Sequence, residues 1–493
     1  MKRFILALAI SAVSASAFAA DKISSPVLKS GDTVAFVGDS ITHGGHAIEH
    51  IMLYYITRYP DMRAKFLNLG IGGDSAGGLL RRMDSEILKS RPNVSFLMIG
   101  MNDCNRSLYS ADSKLSPAER EKRIAETDKR YAENLEKVVG ALSENSRTLV
   151  LFTPSIYDQT AKIKTPATVG ANGALKRYGE IGAKIAASRK NVVVADIWSA
   201  LQDINEALQK SDPSATVIGS DRVHPSSAGG FAMAQKYLSD VCESPVVSKV
   251  SVVAGENPQA ALLENCDISE LKSSDGGVSF KLLEFSLPVV LSKNADPAEA
   301  RTDFQENFNR EILKVKGLAK GSYEVRIDGA CVGTYSASEL GAGVNLAGND
   351  KTPQYAQAEK VAKICSEIRG KYASQRNLYF VEHFLLKDKI SDFSDVQKCV
   401  AAAREILESG KAYGYGKFAL EFYLKNKALE KQMLDEVFAL QSDAYAAAEM
   451  LGVRSLHLQN KGSATQPEAQ PAPQQRTDTT PEESWIHQND GWF

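Results

Sequence analysis

Between Thr33 and about Val241, short apolar runs alternate with amphipathic helical stretches, and this alternation restricts the fold more than any other feature of the chain. The apolar runs fall at residues 33–37, 66–69, 94–99, 148–152 and 192–197. Helical patterns lie between them at about 47–59, 77–90, 117–143 and 171–188, and a last one covers about 227–241. Strand–helix alternation of this kind predicts an α/β fold: a central parallel sheet of about five strands with helices on both faces. The 117–143 helix is rich in Glu, Lys and Arg, the signature of a solvated helix face.

After Glu243 the texture changes. Residues 278–291, 312–315 and 323–327 read as strands, and Asp328-Gly329 followed by 331–335 is a hairpin signal. Helical patterns follow at about 354–373, 395–409 and 425–451. His383 and these helices carry no chemical motif. From Gln459 onward a Gln/Pro/Thr-rich composition predicts a disordered tail, and its aromatic end (Trp485, Trp492, Phe493) suits a partner-docking peptide. The expected organisation is therefore 28–243 for the α/β domain, 244–350 for a smaller β-containing region, 351–458 for packed helices and 459–493 for a tail.

The first residues stand apart. Lys2 and Arg3 precede an apolar stretch from Phe4 to Val13, and Ala17-Phe18-Ala19 fits a small-x-small cleavage site, so residues 1–19 read as an export signal. That apolar core is too short to span a bilayer. The expected location is periplasmic or extracellular. Setting aside Lys2 and Arg3 from the 58 basic residues leaves 56 against 60 acidic ones, and no basic block points to nucleic acid or an anionic membrane. Six cysteines are scattered without CxxC spacing or neighbouring His, which argues against structural zinc.

Chemistry concentrates where the apolar runs end. Gly38-Asp39-Ser40-Ile41-Thr42 closes the first run, so Ser40 is expected at a strand-to-helix turn, at the sheet edge where open α/β folds bind ligands. Asn68-Leu69-Gly70-Ile71-Gly72-Gly73-Asp74 follows the second run and Gly100-Met101-Asn102-Asp103 the third. Asp221-Arg222-Val223-His224-Pro225 lies before the last helix. A serine nucleophile needs a base within hydrogen-bond reach and a carboxylate to orient that base. Ser40, His224 and Asp221 supply the three, and Gly73 and Asn102 supply donors where negative charge would develop.

These blocks, Gly38-Asp39-Ser40, Gly73, Gly100-x-Asn102-Asp103 and Asp221-x-x-His224, resemble the four blocks of the SGNH (GDSL) hydrolase family, in order, over about residues 31–241. The resemblance implies a three-layer α/β/α sandwich and serine ester hydrolysis. It further implies an oxyanion hole from the Ser40 N–H, the Gly73 N–H and the Asn102 side chain. Asp39 and Asp103 are expected to support the site from behind. Residues from about 280 to 347 resemble the C-terminal extension of bacterial multi-part SGNH proteins, notably in 309–317 and 325–333.

A competing motif, Gly73-Asp74-Ser75-Ala76-Gly77, matches the G-x-S-x-G nucleophile elbow, and His43-Gly44-Gly45 echoes a lipase oxyanion loop. Only two predicted strands precede Ser75, too few for that fold, and Asp221 and His224 share one loop instead of coming from two. His43, His46 and His50 share one helix start without a carboxylate or thiolate at a matching offset, which predicts a solvated face and no metal site. The expected activity is that of an exported serine esterase acting on a small ester or acylated glycan, by preference a carbohydrate O-acetyl group, with no cofactor. A lipase or lysophospholipase and a non-catalytic glycan- or partner-binding scaffold are the alternatives.

Overall fold

The computed structural model describes residues 26–274, 276–290, 303–449 and 452–461. The export signal, the aromatic chain end and most of the expected tail lie outside the described residues. The first sheet comprises β1 (Thr33–Gly38), β2 (Lys65–Gly70), β3 (Val94–Met98), β4 (Thr148–Phe152) and β5 (Val192–Ala195). All are parallel, in the order β2-β1-β3-β4-β5. Every residue of β3 and β4 is buried, as expected for strands covered on both faces. The order reverses between β1 and β3, and a crevice opens at the carboxyl ends of the strands at such a point.

Alternate residues of each strand feed two cores. Val34 and Phe36 face α2 (His46–Arg58), α6 (Ile197–Gln209) and α7 (Ser227–Asp240). Ala35 and Val37 face α3 (Ala76–Arg81), α4 (Pro117–Asn145) and α5 (Ala171–Ala186). The result is a three-layer α/β/α sandwich. Two sequence readings need correction. The fifth run ends as a strand at Ala195, because Asp196 caps a helix from Ile197 by accepting the Ser199 N–H at 3.2 Å. The expected single helix over 77–90 is α3 followed by a π-helical turn at Met83–Ile87 and a 3-10 turn at Leu88–Ser90.

Beyond Glu243 the chain builds a β-sandwich, with strands β6 (Val246–Val253), β7 (Gln259–Glu264), β8 (Cys266–Ser274) and β9 (Gly277–Glu284). After helix α8 (Phe304–Phe308) come β10 (Arg310–Lys316), β11 (Ser322–Ile327) and β12 (Ala330–Ser336). A short helix α9 (Ala337–Ala342) and β13 (Val344–Asn345) complete this stretch. The sheets β13-β10-β6-β7 and β12-β11-β14-β9-β8 share one core containing Val252, Phe280, Leu313 and Val325, where β14 spans Arg454–Asn460. The helices are α10 (Pro353–Phe380), α11 (Val396–Glu408), α12 (Gly414–Asn426) and α13 (Glu430–Glu449).

The boundary expected at Gln459 is displaced. Gln459 and Asn460 belong to β14, which inserts between β9 and β11, and Leu456 and Leu458 alternate into the core. The strand expected over 278–291 ends at Glu284. The helices are also no separate module, since α10 and α13 bury Val361, Cys365, Ile368, Val437 and Ala444 against the α2 face of the first domain. They seal the exposed edge of β2. The Gln441 amide accepts from the Phe66 N–H at 3.0 Å and donates to the Phe66 carbonyl at 2.8 Å, while the Tyr372 hydroxyl donates to the same carbonyl at 2.7 Å. An edge strand left uncovered would present these groups to other chains.

Candidate active site

At the end of β1 the backbone passes too close to its neighbours to carry a side chain. A Cβ on Gly38 would lie 2.1 Å from Thr42 Oγ1 and 2.4 Å from the Met98 carbonyl oxygen. Asp39 then caps the short helix α1 (Ser40–Gly44), its carboxylate accepting the Ile41 N–H at 3.0 Å. This turn sets Ser40, half-buried, at the first helical position, and its hydroxyl lies 2.7 Å from His224 Nε2. The other ring nitrogen, Nδ1, is hydrogen-bonded to Asp221 Oδ2.

The loop carrying Asp221 and His224 is fixed by its own backbone. The Gly219 N–H donates to the His224 carbonyl at 2.7 Å and the Arg222 N–H to the Gly219 carbonyl at 2.9 Å. Arg222, at φ +67°, is buried and donates to the Asp158 and Thr165 carbonyls at 2.8 and 2.7 Å. Asp221 Oδ1 accepts the Val223 and His224 N–H groups at 2.9 and 3.1 Å. Burial alone would raise the Asp221 carboxyl, but the hydrogen bond and charge of His224 and the two backbone donors bring it down to about 2. It is therefore an ionised acceptor at neutral pH, and the imidazole can take a proton from Ser40 at Nε2 while Asp221 holds Nδ1–H.

Gly73 follows β2 in the left-handed region (φ +78°) and is exposed. The Asn102 amide donates to the Asp74 carbonyl at 2.9 Å, which spends one of its two N–H groups. The structure thus joins Ser40, His224 and Asp221 in one hydrogen-bonded chain after β1, while Gly73 follows β2 and Asn102 follows β3, the two strands on either side of β1. Asp103 accepts the Ala76 N–H at 3.0 Å and so holds the start of α3. Burial raises the Asp39 carboxyl to about 6 and the Asp103 carboxyl to about 7. Ser75, the competing serine, caps α3 instead, its hydroxyl accepting the Gly78 N–H at 3.2 Å.

Sequence reasoning missed the groups that hold the Gly70–Asp74 loop. Fully buried Arg82 donates to Asp74 Oδ2 at 2.8 Å, Glu86 Oε2 at 3.1 Å and the Gly38 carbonyl at 3.3 Å. Arg376, also fully buried, comes from α10 and donates to the Gly70 carbonyl at 2.9 Å and to Glu86 Oε1 at 2.5 Å. His383 Nε2 lies 3.3 Å from Glu86 Oε2. Burial would raise the Glu86 carboxyl, but Arg376, Arg82 and His383 together hold it far below the carboxylate range. No local pattern marks Arg376 or His383, because their partners lie about three hundred residues away. The solvated face expected for His43, His46 and His50 is also wrong. His43 is buried and its Nε2–H donates to the Ala373 carbonyl at 2.8 Å, while burial lowers its pKa to about 4 and that of His46 to about 3.

Residues 34–237 match the model of the family described as GDSL-like lipase/acylhydrolase. An acetylxylan esterase from Geobacillus stearothermophilus is 26% identical over 227 residues, covering 43% of this chain and 94% of that protein. A solved structure described as a gut microbial diltiazem-metabolizing enzyme is similar over a longer stretch. It is 29% identical, has a TM-score of 0.80, and covers 88% of this chain and 98% of that one. That likeness extends past the first domain into the β-sandwich and the helices. With the sandwich fold, the ordered motif blocks and the family match in agreement, residues 34–237 are a hydrolase domain of the GDSL (SGNH) lipase/acylhydrolase family, which acts on esters.

Proposed function

We propose that the chain is an exported serine esterase that removes acyl groups, by preference acetyl, from a carbohydrate. The observation that carries this reading is the continuous hydrogen-bond chain from Ser40 Oγ through His224 to Asp221 at the carboxyl edge of the sheet. In this reading Ser40 attacks the ester carbonyl as His224 Nε2 takes its proton. The oxyanion is met by the N–H groups of Ser40 and Gly73 and by the Asn102 amide. His224 then protonates the leaving alcohol and water releases the acid from the acyl-serine. Asp221 stays ionised throughout and stabilises the imidazolium. Similarity to an acetylxylan esterase supports acetylated glycans as the substrate class, and the apolar stretch behind Lys2 and Arg3 supports export.

Hydrolysis of p-nitrophenyl acetate tests the mechanism. Ser40→Ala is expected to reduce turnover by about a thousandfold or more, as removal of a triad nucleophile does. If wild type and variant are equally inert from pH 6 to 9, the esterase reading is wrong. Acetate release from acetylated xylan, set against fatty-acid release from a lysophospholipid, tests the substrate class.

A further inference from the structure

The C-terminal helices do more than cover a sheet edge. They also reach Gly73. A Cβ built on Gly73 would lie 3.7 Å from Phe384 Cε1 and 3.9 Å from its Cζ, ordinary van der Waals separations. Among the described residues, apart from its chain neighbours, Phe384 alone comes within 4 Å of that position. Gly73 is exposed and Phe384 half-buried, so both present surface to solvent at this point.

The ring is held firmly for a surface aromatic. Phe384 lies in a π-helical turn, Val381–Leu385, that continues α10, and such turns recur at functional sites. One of its faces stacks on buried Phe380, with centroids 5.3 Å apart and planes 15° from parallel, and Tyr415 packs edge-on behind Phe380 at 4.8 Å. Both sides of the gap are tied to each other. Ile71, two residues before Gly73, is fully buried in the cluster formed by Leu378, Phe380 and Val381. Arg376 bonds the Gly70 carbonyl, and His383, next to Phe384, meets Glu86. The separation between the ring and Gly73 is therefore set by buried contacts on either flank.

We propose that Phe384 is a substrate-contacting, specificity-determining residue, a wall supplied to the esterase site by the C-terminal helices. This rests on the function proposed above, in which the Gly73 N–H receives the ester oxygen. An oxygen accepted there sits about 3 Å from the Gly73 nitrogen, which brings the remainder of the ester within reach of the ring. A flat ring backed by a second one favours an ester whose other part has a flat apolar face, and a pyranose ring is of that class. A small alkyl ester offers no such face.

The test compares per-O-acetylated xylobiose with ethyl acetate. Phe384→Ala is expected to lower the ratio of kcat/KM for the sugar ester over that for ethyl acetate by about three- to tenfold, with Phe384→Trp restoring it. In parallel, titration calorimetry on Ser40→Ala, with and without Phe384→Ala, is expected to show a similar weakening of Kd for the sugar ester. Equal loss on both substrates means that the ring only supports the Gly70–Asp74 loop and overturns the proposal. Unchanged Kd, or no binding by Ser40→Ala, overturns it as well. Inert wild type defeats the esterase reading alone, because the calorimetric comparison still decides whether Phe384 contacts the sugar.

Discussion

The first α/β domain and the C-terminal helices hold the same loop in opposite ways. Arg82 grips the Asp74 end from within the domain and also reaches the Gly38 carbonyl, one peptide before Asp39. Arg376 grips the Gly70 end from α10, and Glu86 lies between the two guanidinium groups. One region carries every recognisable motif and the other carries none, yet each contributes one fully buried arginine. Residues that do chemistry at the end of a strand need a local sequence to form the turn. Residues that brace the turn need only arrive, and any helix with the right contacts can deliver them.

Removing the distant brace tests this comparison with the largest effect. Arg376→Met leaves the Gly70 carbonyl and one Glu86 oxygen short of a donor in a buried place, which costs about 3–5 kcal/mol of stability. If α10 shapes the site, kcat on p-nitrophenyl acetate falls by at least about tenfold at a temperature where circular dichroism shows the fold intact, and Arg376→Lys recovers part of it. An unchanged kcat in the folded variant would reduce the helices to a cover for β2.

A pH series sharpens the other side. Burial raises the Asp103 carboxyl to about 7, so between about pH 4 and 7 the folded chain holds a proton that the unfolded chain has lost. Stability from this group is greatest at low pH and falls as pH rises through that window. Asp103→Asn keeps an acceptor for the Ala76 N–H and removes the titration. Relative to wild type, its unfolding free energy is expected to climb from pH 4 to 7 by up to about 4 kcal/mol and then level off, with its melting temperature rising in parallel. A constant difference would mean that the Asp103 carboxyl is not desolvated and does not titrate in this window. The smallest effect belongs to Ser75→Ala, which loses a helix cap worth about 1 kcal/mol and keeps kcat within a few-fold of wild type.

Much of the fold was legible because the parallel strands are short, apolar and bounded by chemistry-bearing turns. The ends of Thr33–Gly38 and Val94–Met98 follow the sequence reading to within a residue. The strands that escaped notice belong to the β-sandwich. Gln259–Glu264 is exposed along nearly its whole length, and Arg454–Asn460 buries only Leu456 and Leu458 within a polar stretch that continues into a Gln-rich composition. Strand formation there depends on partners far away in the chain. The same reason hides the bracing network and Phe384, since Gly70 and Gly73 give no sign of which residue will face them. Gly73 and Asn102 lie after β2 and β3, where the sequence reading expects them. The burial of His43 was not, because Ala373 supplies its partner from α10.

The most direct measurement is covalent labelling with a fluorophosphonate followed by mapping of the modified peptide. Our account predicts a single modified serine at Ser40, with labelling abolished in Ser40→Ala and retained in Ser75→Ala. Modification at Ser75 with Ser40 untouched, or labelling that persists in Ser40→Ala, would contradict it.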